Sequence, residues 1–554
     1  MTPSKNWLLR KFVFPFATLA LVAFLAGCSQ QADVREAESE RAEPELEIEK
    51  RWVYQGENGN LIYETDERGN RIPDFSNAGY GGGGVAIPDV PVKITLTPIE
   101  GDNTGQIQAA IDELATLDRD SNGFRGALLL KRGTYTIDGK LTVSASGIVI
   151  RGEGQDEDGT ILIAAGTTKR TLIEVSGKGR PREVPGTRQN IIDPYVPVGA
   201  KSFEIENAAG FEVGDEIIVF RPSTAEWISA IGMDAIPPRS DGLPVHQWKA
   251  GSRNILYDRI ITAIDGNKIT IDAPIFNAIE EEFGGGSIYK YEFPGRIEKV
   301  GVEHLRGISD FTGEASENDE DHGWVFVSID SAQNTWVRNI TSKHFGFGLA
   351  LVNRYTKWTT IQDSICLEPV SAVRGGRRYP FYLTGQLALV QRCFANQSRH
   401  DFGINSLVSG PNVFLDCFAS DSRADSGPHH RWATGALFDN IRVPETSIRI
   451  INRSNYGTGH GWAGANMVIW NSEAKSIIVQ NPPTAQNWAI GNVGSFGKPP
   501  FDGDPGYFAS HGKPVQPASL YLAQLRERLG NQAVENISEM DIRAPIRIVP
   551  ELWD

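Results

Sequence analysis

Cysteine is scarce. The chain of 554 residues has four, Cys28, Cys366, Cys393 and Cys417, and the last three leave an odd number in its body. An odd count excludes a fully paired disulfide framework. No Cys/His pair has zinc-finger spacing, so the three read as small buried apolar residues. Positive charge is also in deficit, with Lys plus Arg at 54 against 69 for Asp plus Glu, a net charge of −15. That balance argues against nucleic acid as a partner. Long hydrophobic runs are missing as well. Beyond Phe12–Leu25, 14 residues interrupted by Pro15 and Thr18, nothing apolar is long enough to span a bilayer.

What is present begins at that run. Lys5, Arg10 and Lys11 make a basic start before it, the layout of a secretory signal. It ends Leu25-Ala26-Gly27-Cys28, which resembles the bacterial lipoprotein signal. The resemblance implies a signal peptide over residues 1–27, acylation of Cys28 and contact with the membrane through that lipid alone. With Ser29 rather than Asp next, it also implies the outer membrane. Residues 28–51 are acidic, rich in Glu and Ala, and too poor in apolar residues to fold; they read as a tether.

From residue 52 the body is organised as short strands. Asn103–Leu117 is predicted as an amphipathic helix, with Ile107, Ile111 and Leu114 on one face and Asn103 or Thr104 as N-cap. Short β runs follow at Ala127–Leu130, Leu141–Val143, Gly147–Ile150 and Thr160–Ile163, separated by Gly and Asp turns. Residues 196–295 break this rhythm with two hairpin-like pairs around a stretch containing Trp227, Pro237, Pro238 and Trp248, read as an inserted β module. The rhythm returns at 296. Ile340, Ser364, Cys393, Cys417 and Ile441 recur at spacings of 24, 29, 24 and 24. That period suits one coil of a solenoid, in which each coil buries its core only against its neighbours. The Asn or Asp just before most of these positions (Asn339, Asp363, Asp416, Asn440) marks a structural turn.

The helix followed by GALLLKRGTYTIDGKLTVSASGIVIRGEGQDEDGTILI resembles the N-terminal part of the pectate-lyase-like superfamily over residues 95–165. The resemblance implies an all-β, right-handed parallel β-helix with an N-terminal capping helix. The predicted plan is 52–195 for the cap and first coils, 196–295 for the module, and 296–554 for the main coils and tail, with Leu520–Leu529 a short helix. The superfamily hosts lyases, hydrolases, epimerases and adhesins, so fold alone fixes no chemistry. The phrases RHDF, SGPHHRWATGALFDN and GHGWAGANMVIWN are similar to a recurrent pattern of such bacterial proteins. They bring no assigned role.

Candidate chemistry concentrates in the main coils. Six of nine His lie between 322 and 460, and seven of twelve Trp between 324 and 488. Pro369–His400 holds Arg374, Arg377, Arg378, Arg392 and Arg399 without one acid, a composition suited to carboxylate or sulfate. The 29-residue spacing implies an excursion between 365 and 389. Arg399-His400-Asp401 and, one coil later, Asp425 to Trp432 (with His429, His430 and Arg431) should lie on one flank, with Gly459-His460-Gly461-Trp462 beyond them. Gly-His-Gly is similar to polygalacturonase-type hydrolases, but no adjacent Asp pair precedes it here.

The leading expectation is a polysaccharide lyase acting on an anionic, uronate-containing polysaccharide. β-Elimination removes the proton on C5, next to a carboxylate, so it needs a cation for the carboxylate, a base and a leaving-group acid. His400 or His430 is expected as base, Arg399 and Arg431 as neutralisers, and Tyr379 as acid near Arg378. Arg377, Arg378, His429, Trp432, His460 and Trp462 are expected to bind substrate, the Trp faces by stacking on sugar. The alternative is a glycoside hydrolase choosing two carboxylates from Asp401, Asp416, Asp421 and Asp425; a third is a non-catalytic glycan-binding protein. Calcium is the candidate cofactor, through Asp421 and Asp425, and a monomer is expected.

Overall fold

The computed structural model describes residues 51–311 and 319–538. The expected signal peptide, Cys28 and all but the last residue of the tether lie outside the described residues. The fold is a right-handed parallel β-helix. Each coil contributes to three faces. The first two are joined in one 22-stranded ladder, because Gly301–Ser309 and Ala332–Lys343 run through both. The third is a separate seven-stranded sheet, from Leu141–Val143 through Gly348–Val352, Phe381–Leu383 and Phe402–Ile404 to Gly427–Pro428.

Register follows from strand alternation, which puts every second side chain into the coil. On the first face Leu128, Ile150, Val302, Val337, Ile361, Val390, Phe414, Phe438 and Ile469 pair in succession, one per coil. All are buried in one continuous core. Ile340, Ser364, Cys393, Cys417 and Ile441 form the buried file just past the corner, and the three Cys are free thiols. The corner itself is left-handed, with φ of +50 at Asn339, +52 at Asp363, +50 at Asp416 and +56 at Asn440. Asn and Asp tolerate that conformation better than most residues. Arg392, also at +50, is the exception; its guanidinium grips Asp363 of the coil before at 2.7 and 2.9 Å.

The helix Thr104–Thr116 closes the N-terminal end by burying Ile107, Ile111 and Leu114 on the core. Asn103 does not cap it by side chain. Its amide ties the preceding loop instead, accepting from Ile99 N–H at 2.9 Å, while Asp102 accepts from Thr104 N–H at 2.9 Å.

After Gly177 the chain leaves the coil and builds an antiparallel sheet between Arg182 and Glu292, ahead of the 196 boundary read from sequence. The coil then resumes: Val302 pairs with Ile150 as if nothing intervened. The two ends of the excursion meet where Lys178 N–H donates to Gly295 O at 2.8 Å. A Cβ on Gly295 would stand 2.0 Å from Lys178 O, so only glycine fits there.

The excursion covers the outside of the first face. Trp227, Phe276, Val413, Trp432, Leu437, Trp462, Trp470 and Trp488 share a second buried core with it. The helix Leu520–Leu529 lies on the same flank through Leu520, Tyr521 and Leu525. Asp439 receives its N-terminus, accepting from Ser519 Oγ at 2.7 Å and Tyr521 N–H at 2.8 Å.

Candidate functional site

The outside of the third face is left open. Its outward positions in three successive coils are Tyr382, Gly403 and Gly427, paired in register. At both glycines the space a side chain would take is filled by a close-packed neighbour. A Cβ on Gly403 would meet the Tyr382 ring at 2.8 Å, and one on Gly427 would meet Arg449 O at 2.4 Å. The residues flanking these strands form the walls. Tyr379, His400 and Asp425 come just before them, and Asn405, His429 and His430 just after; Arg449, Arg453, Tyr456 and His460 complete the cavity. Its volume is about 630 Å³, within the range of ligand pockets. The excursion 365–389 forms one rim with Gly375 and Gly376. It is pinned in place where Arg399 and His400 N–H donate to Arg378 O at 2.9 and 3.1 Å.

Four imidazoles line the cavity. Ring centroids are 4.8 Å apart for His400–His429, 5.0 Å for His429–His460 and 5.0 Å for His430–His460. His400 Nδ1 donates to Asp425 O at 2.5 Å. A carbonyl only accepts, so this bond leaves the lone pair on Nε2, which has no hydrogen-bond partner. Burial pushes His400 down to about 4, against the pull of Asp425. Burial, then the neighbouring His460, takes His430 down to about 3. Burial and Arg453 take His460 to about 4, and burial with His400 drives His429 far below the ordinary range. All four are neutral at pH 7.

The Tyr379 hydroxyl joins this group, 3.3 Å from His429 Nε2, and accepts from Arg399 Nη1 at 3.2 Å. Burial raises it to about 12 although Arg399 opposes the rise, so it carries its proton. Asp425 is the one carboxylate lining the cavity. Burial would raise it, but the Arg453 ion pair overcomes burial and holds it at about 2. Arg399 and Arg449 meet no carboxylate within ion-pair distance among the described residues. With three Arg against one Asp, the cavity carries net positive charge in an acidic protein.

Of the residues singled out in sequence, Tyr379, Arg399, His400, His429, His430 and His460 come together here. Others do not. Trp432 is wholly buried and donates to Asn277 Oδ1 at 2.8 Å. Trp462 is buried and donates to Ile231 O at 3.1 Å. Both clamp the module to the coil, so neither is a sugar-stacking surface. Arg377 pairs with Glu320, 2.9 Å from Nη2 to Oε2. Arg378 is buried and donates from Nε to Ser371 O at 2.9 Å, holding the excursion shut. Arg431 reaches Thr458 Oγ1 at 2.5 Å and does not line this cavity.

The candidate carboxylates disperse too. Asp401 is buried with neither oxygen hydrogen-bonded, and Asp416 sits at the left-handed corner, bound by Asn440 at 3.0 Å. Asp421 accepts from Asn396 at 3.0 Å while Asp425 is engaged by Arg453, so the pair proposed for calcium does not converge on an ion. Among the described residues, no three His, Cys, Asp or Glu side chains are spaced to hold a metal ion. Sequence reasoning passed over Arg449, Arg453, Tyr382 and Tyr456. Arg453 lies 28 residues after Asp425, about one coil on, and that spacing was the available signal.

No family model matches the chain, and no curated protein matches it. Solved structures do. The tailspike of E. coli bacteriophage HK620, in complex with a pentasaccharide, is 11% identical, with a TM-score of 0.36 over 80% of this chain and 60% of its own. The A-module of the mannuronan C-5 epimerase AlgE6 of Azotobacter vinelandii is 10% identical, with a TM-score of 0.35 over 76% of this chain and 98% of its own. The endo-xylogalacturonan hydrolase of Aspergillus tubingensis is 11% identical, with a TM-score of 0.34 over 76% of this chain and 100% of its own. Likenesses this distant assign no activity.

Proposed function

We infer that the protein is an extracytoplasmic polysaccharide lyase that cleaves an anionic, uronate-containing glycan by β-elimination. The observation that carries this reading is the His400–Tyr379–Arg399 group, a neutral base, a protonated acid and an unpaired cation within one open cavity. In the proposed step Arg399 and Arg449 hold the uronate carboxylate and offset the charge that grows on C5. His400 Nε2 takes the C5 proton. The C5–H electron pair becomes the C4=C5 bond as the C4–O4 bond breaks, and Tyr379 gives its proton to O4. Arg399 then faces the tyrosinate, and the proton held on His400 returns to it by way of His429, 3.3 Å from the tyrosine oxygen.

The same cavity disfavours paired-carboxylate hydrolysis, which needs two carboxyl groups flanking one bond. Only Asp425 lines it, and Arg453 engages it. For location, we propose a lipid anchor on Cys28 at the outer membrane. Labelled fatty acid incorporation into the chain, lost in Cys28→Ser, tests that.

The activity test is to incubate the full chain with alginate, pectate, ulvan or glycosaminoglycans and follow the ultraviolet band of unsaturated uronate. The band is expected to grow, and to be lost in Tyr379→Phe. New reducing ends without the band would establish hydrolysis instead. Retention of a glycan with no cleavage, unaffected by replacing His400, His429 and His430, would establish a binding protein.

A further inference from the structure

A second cavity, of about 280 Å³, lies between the inserted module and the coils. Ser252, Asn254 and Leu256 line it from the module; Tyr355, Thr384 and Ser409 line it from the coils. It shares a wall with the histidine cavity. Asn405, which lines that cavity, donates from Nδ2 to the Oγ1 of Thr384 at 3.1 Å, and Thr384 lines the second.

The two cavities differ in charge. Asp258 and Arg296 lie on the wall of the second, but their charges are already matched. Arg296 Nη2 is 2.7 Å from Asp258 Oδ2, while Lys357 Nζ is 2.7 Å from Asp258 Oδ1 and 3.0 Å from Glu216 Oε1. Two carboxylates thus balance two cations, and a further charge entering here would lose water without gaining a partner. Arg354, the remaining ionic group of the lining, is exposed, where an ion pair contributes little.

What the wall offers instead is uncharged hydrogen-bonding groups. The Asn254 amide is oriented by Ser223, whose N–H and Oγ donate to Asn254 Oδ1 at 2.9 and 3.1 Å. Among the described residues, Asn254 Nδ2 and the hydroxyls of Tyr355 and Ser409 have no hydrogen-bond partner. Thr384 Oγ1 accepts from Asn405 and keeps its own proton to donate. The Tyr355 ring, T-shaped to Phe293 at 6.3 Å between centroids, adds an aromatic surface, and Leu256 and Leu407 add apolar ones. Hydroxyl and amide groups beside an aromatic ring suit a sugar, with its apolar ring faces and hydroxyl edges.

We propose that the second cavity binds an uncharged sugar unit of the same glycan chain whose uronate lies in the histidine cavity. This rests on the uronate reading above and gives the substrate a class: a mixed polymer in which uronates are interspersed with neutral sugars, rather than a homopolymer of uronates. Arg399 and Arg449 take the charged unit. Asn254, Tyr355, Thr384 and Ser409 take the hydroxyls of the neutral one, and the wall shared at Asn405 and Thr384 lets one chain occupy both cavities.

Affinity electrophoresis of the full chain tests it, with cleavage followed separately by the ultraviolet band. Two gels contain hyaluronan or unsulfated chondroitin, in which uronate alternates with an uncharged N-acetylhexosamine. Two contain alginate or pectate, which are uronate throughout. The wild type is expected to be retarded more by the first pair. Ser409→Ala, which removes one hydroxyl, and Tyr355→Ala, which removes the ring, are each expected to lower that preference about fivefold, as loss of an uncharged contact does. Melting temperatures close to that of the wild type show that the variants fold, and Ser409→Ala, the smaller change, decides the matter if Tyr355→Ala does not. Equal or stronger retardation by alginate and pectate, or a preference that survives in the folded variants, overturns the subsite; the lyase stands if unsaturated product still forms. A preference lost in the variants of a chain that forms no unsaturated product keeps the subsite and removes the lyase. No retardation and no cleavage with any of the four glycans removes both.

Discussion

The two outer faces of one solenoid are built from the same coils and have opposite fates. On the first face, outward positions carry Val413, Leu437, Trp470 and Trp488, and module, N-terminal segment and C-terminal helix bury them. On the third face, the same register carries Tyr382, Gly403 and Gly427, and the residues flanking these strands wall the histidine cavity. Large apolar outward side chains recruit a coat, whereas polar and imidazole side chains flanking the third-face strands wall a cavity. Residues of one short segment therefore part company: His429 and His430 face the cavity, while Trp432, two positions on, locks the coat in place.

That contrast yields tests of graded size. The largest effect belongs to the open face. His400→Gln is expected to cut turnover by about 10²–10⁴-fold with little change in melting temperature. In wild type, kcat should fall as pH drops through about 4, where His400 gains its proton. A pH profile without that acid limb would remove His400 as the base. The covered face should respond in the other currency. Trp432→Ala is expected to cost about 3–5 kcal/mol of stability, measured by denaturant unfolding, with turnover per folded molecule unchanged.

A smaller effect comes from beneath the cavity. Burial raises the Asp401 carboxyl to about 7. Below pH about 4 both folded and unfolded chains hold this proton. As pH rises toward 7 the unfolded chain releases it first, so stability falls, and the full cost stands above that pH. Asp401→Asn is expected to flatten this slope and raise the melting temperature at pH 8; a lower melting temperature there would show that the carboxylate is compensated. The smallest effect is expected for Gly403→Ala, whose Cβ displaces the Tyr382 ring. It should weaken glycan affinity a few-fold, read by affinity electrophoresis through glycan-containing gels, and lower the melting temperature slightly, because the ring it displaces is buried against Tyr379.

The coil was legible because its inward file repeats. Val337, Ile361, Val390, Phe414 and Phe438 stand at near-constant spacing, and the Asn or Asp corner recurs with them. The cavity was legible where it followed that period, which placed His400 beside His429. Arg449 and Arg453 escaped because the third face ends as a sheet at Gly427–Pro428 and continues only as the single bridge Ser426–Ile448. Arg377 looked unpaired because no acid is near it in sequence, yet Glu320 reaches it from an earlier coil. Trp432 and Trp462 were misjudged since aromatic content does not reveal facing, and their partners, Asn277 and Ile231, belong to the insertion.

The glycine neck at Lys178 and Gly295 bears on how the molecule assembles. A solenoid grows by templating, each turn laid on the last, yet the strand Gly301–Ser309 cannot dock on Ile148–Arg151 until everything between has looped out and come back. Closing a loop on the order of a hundred residues costs about 4 kcal/mol in chain entropy, and a module that folds first shortens the distance to be closed. Growth along the axis is thus interrupted at one seam, and the side domain acts as a staple that brings the second stretch of turns to the first.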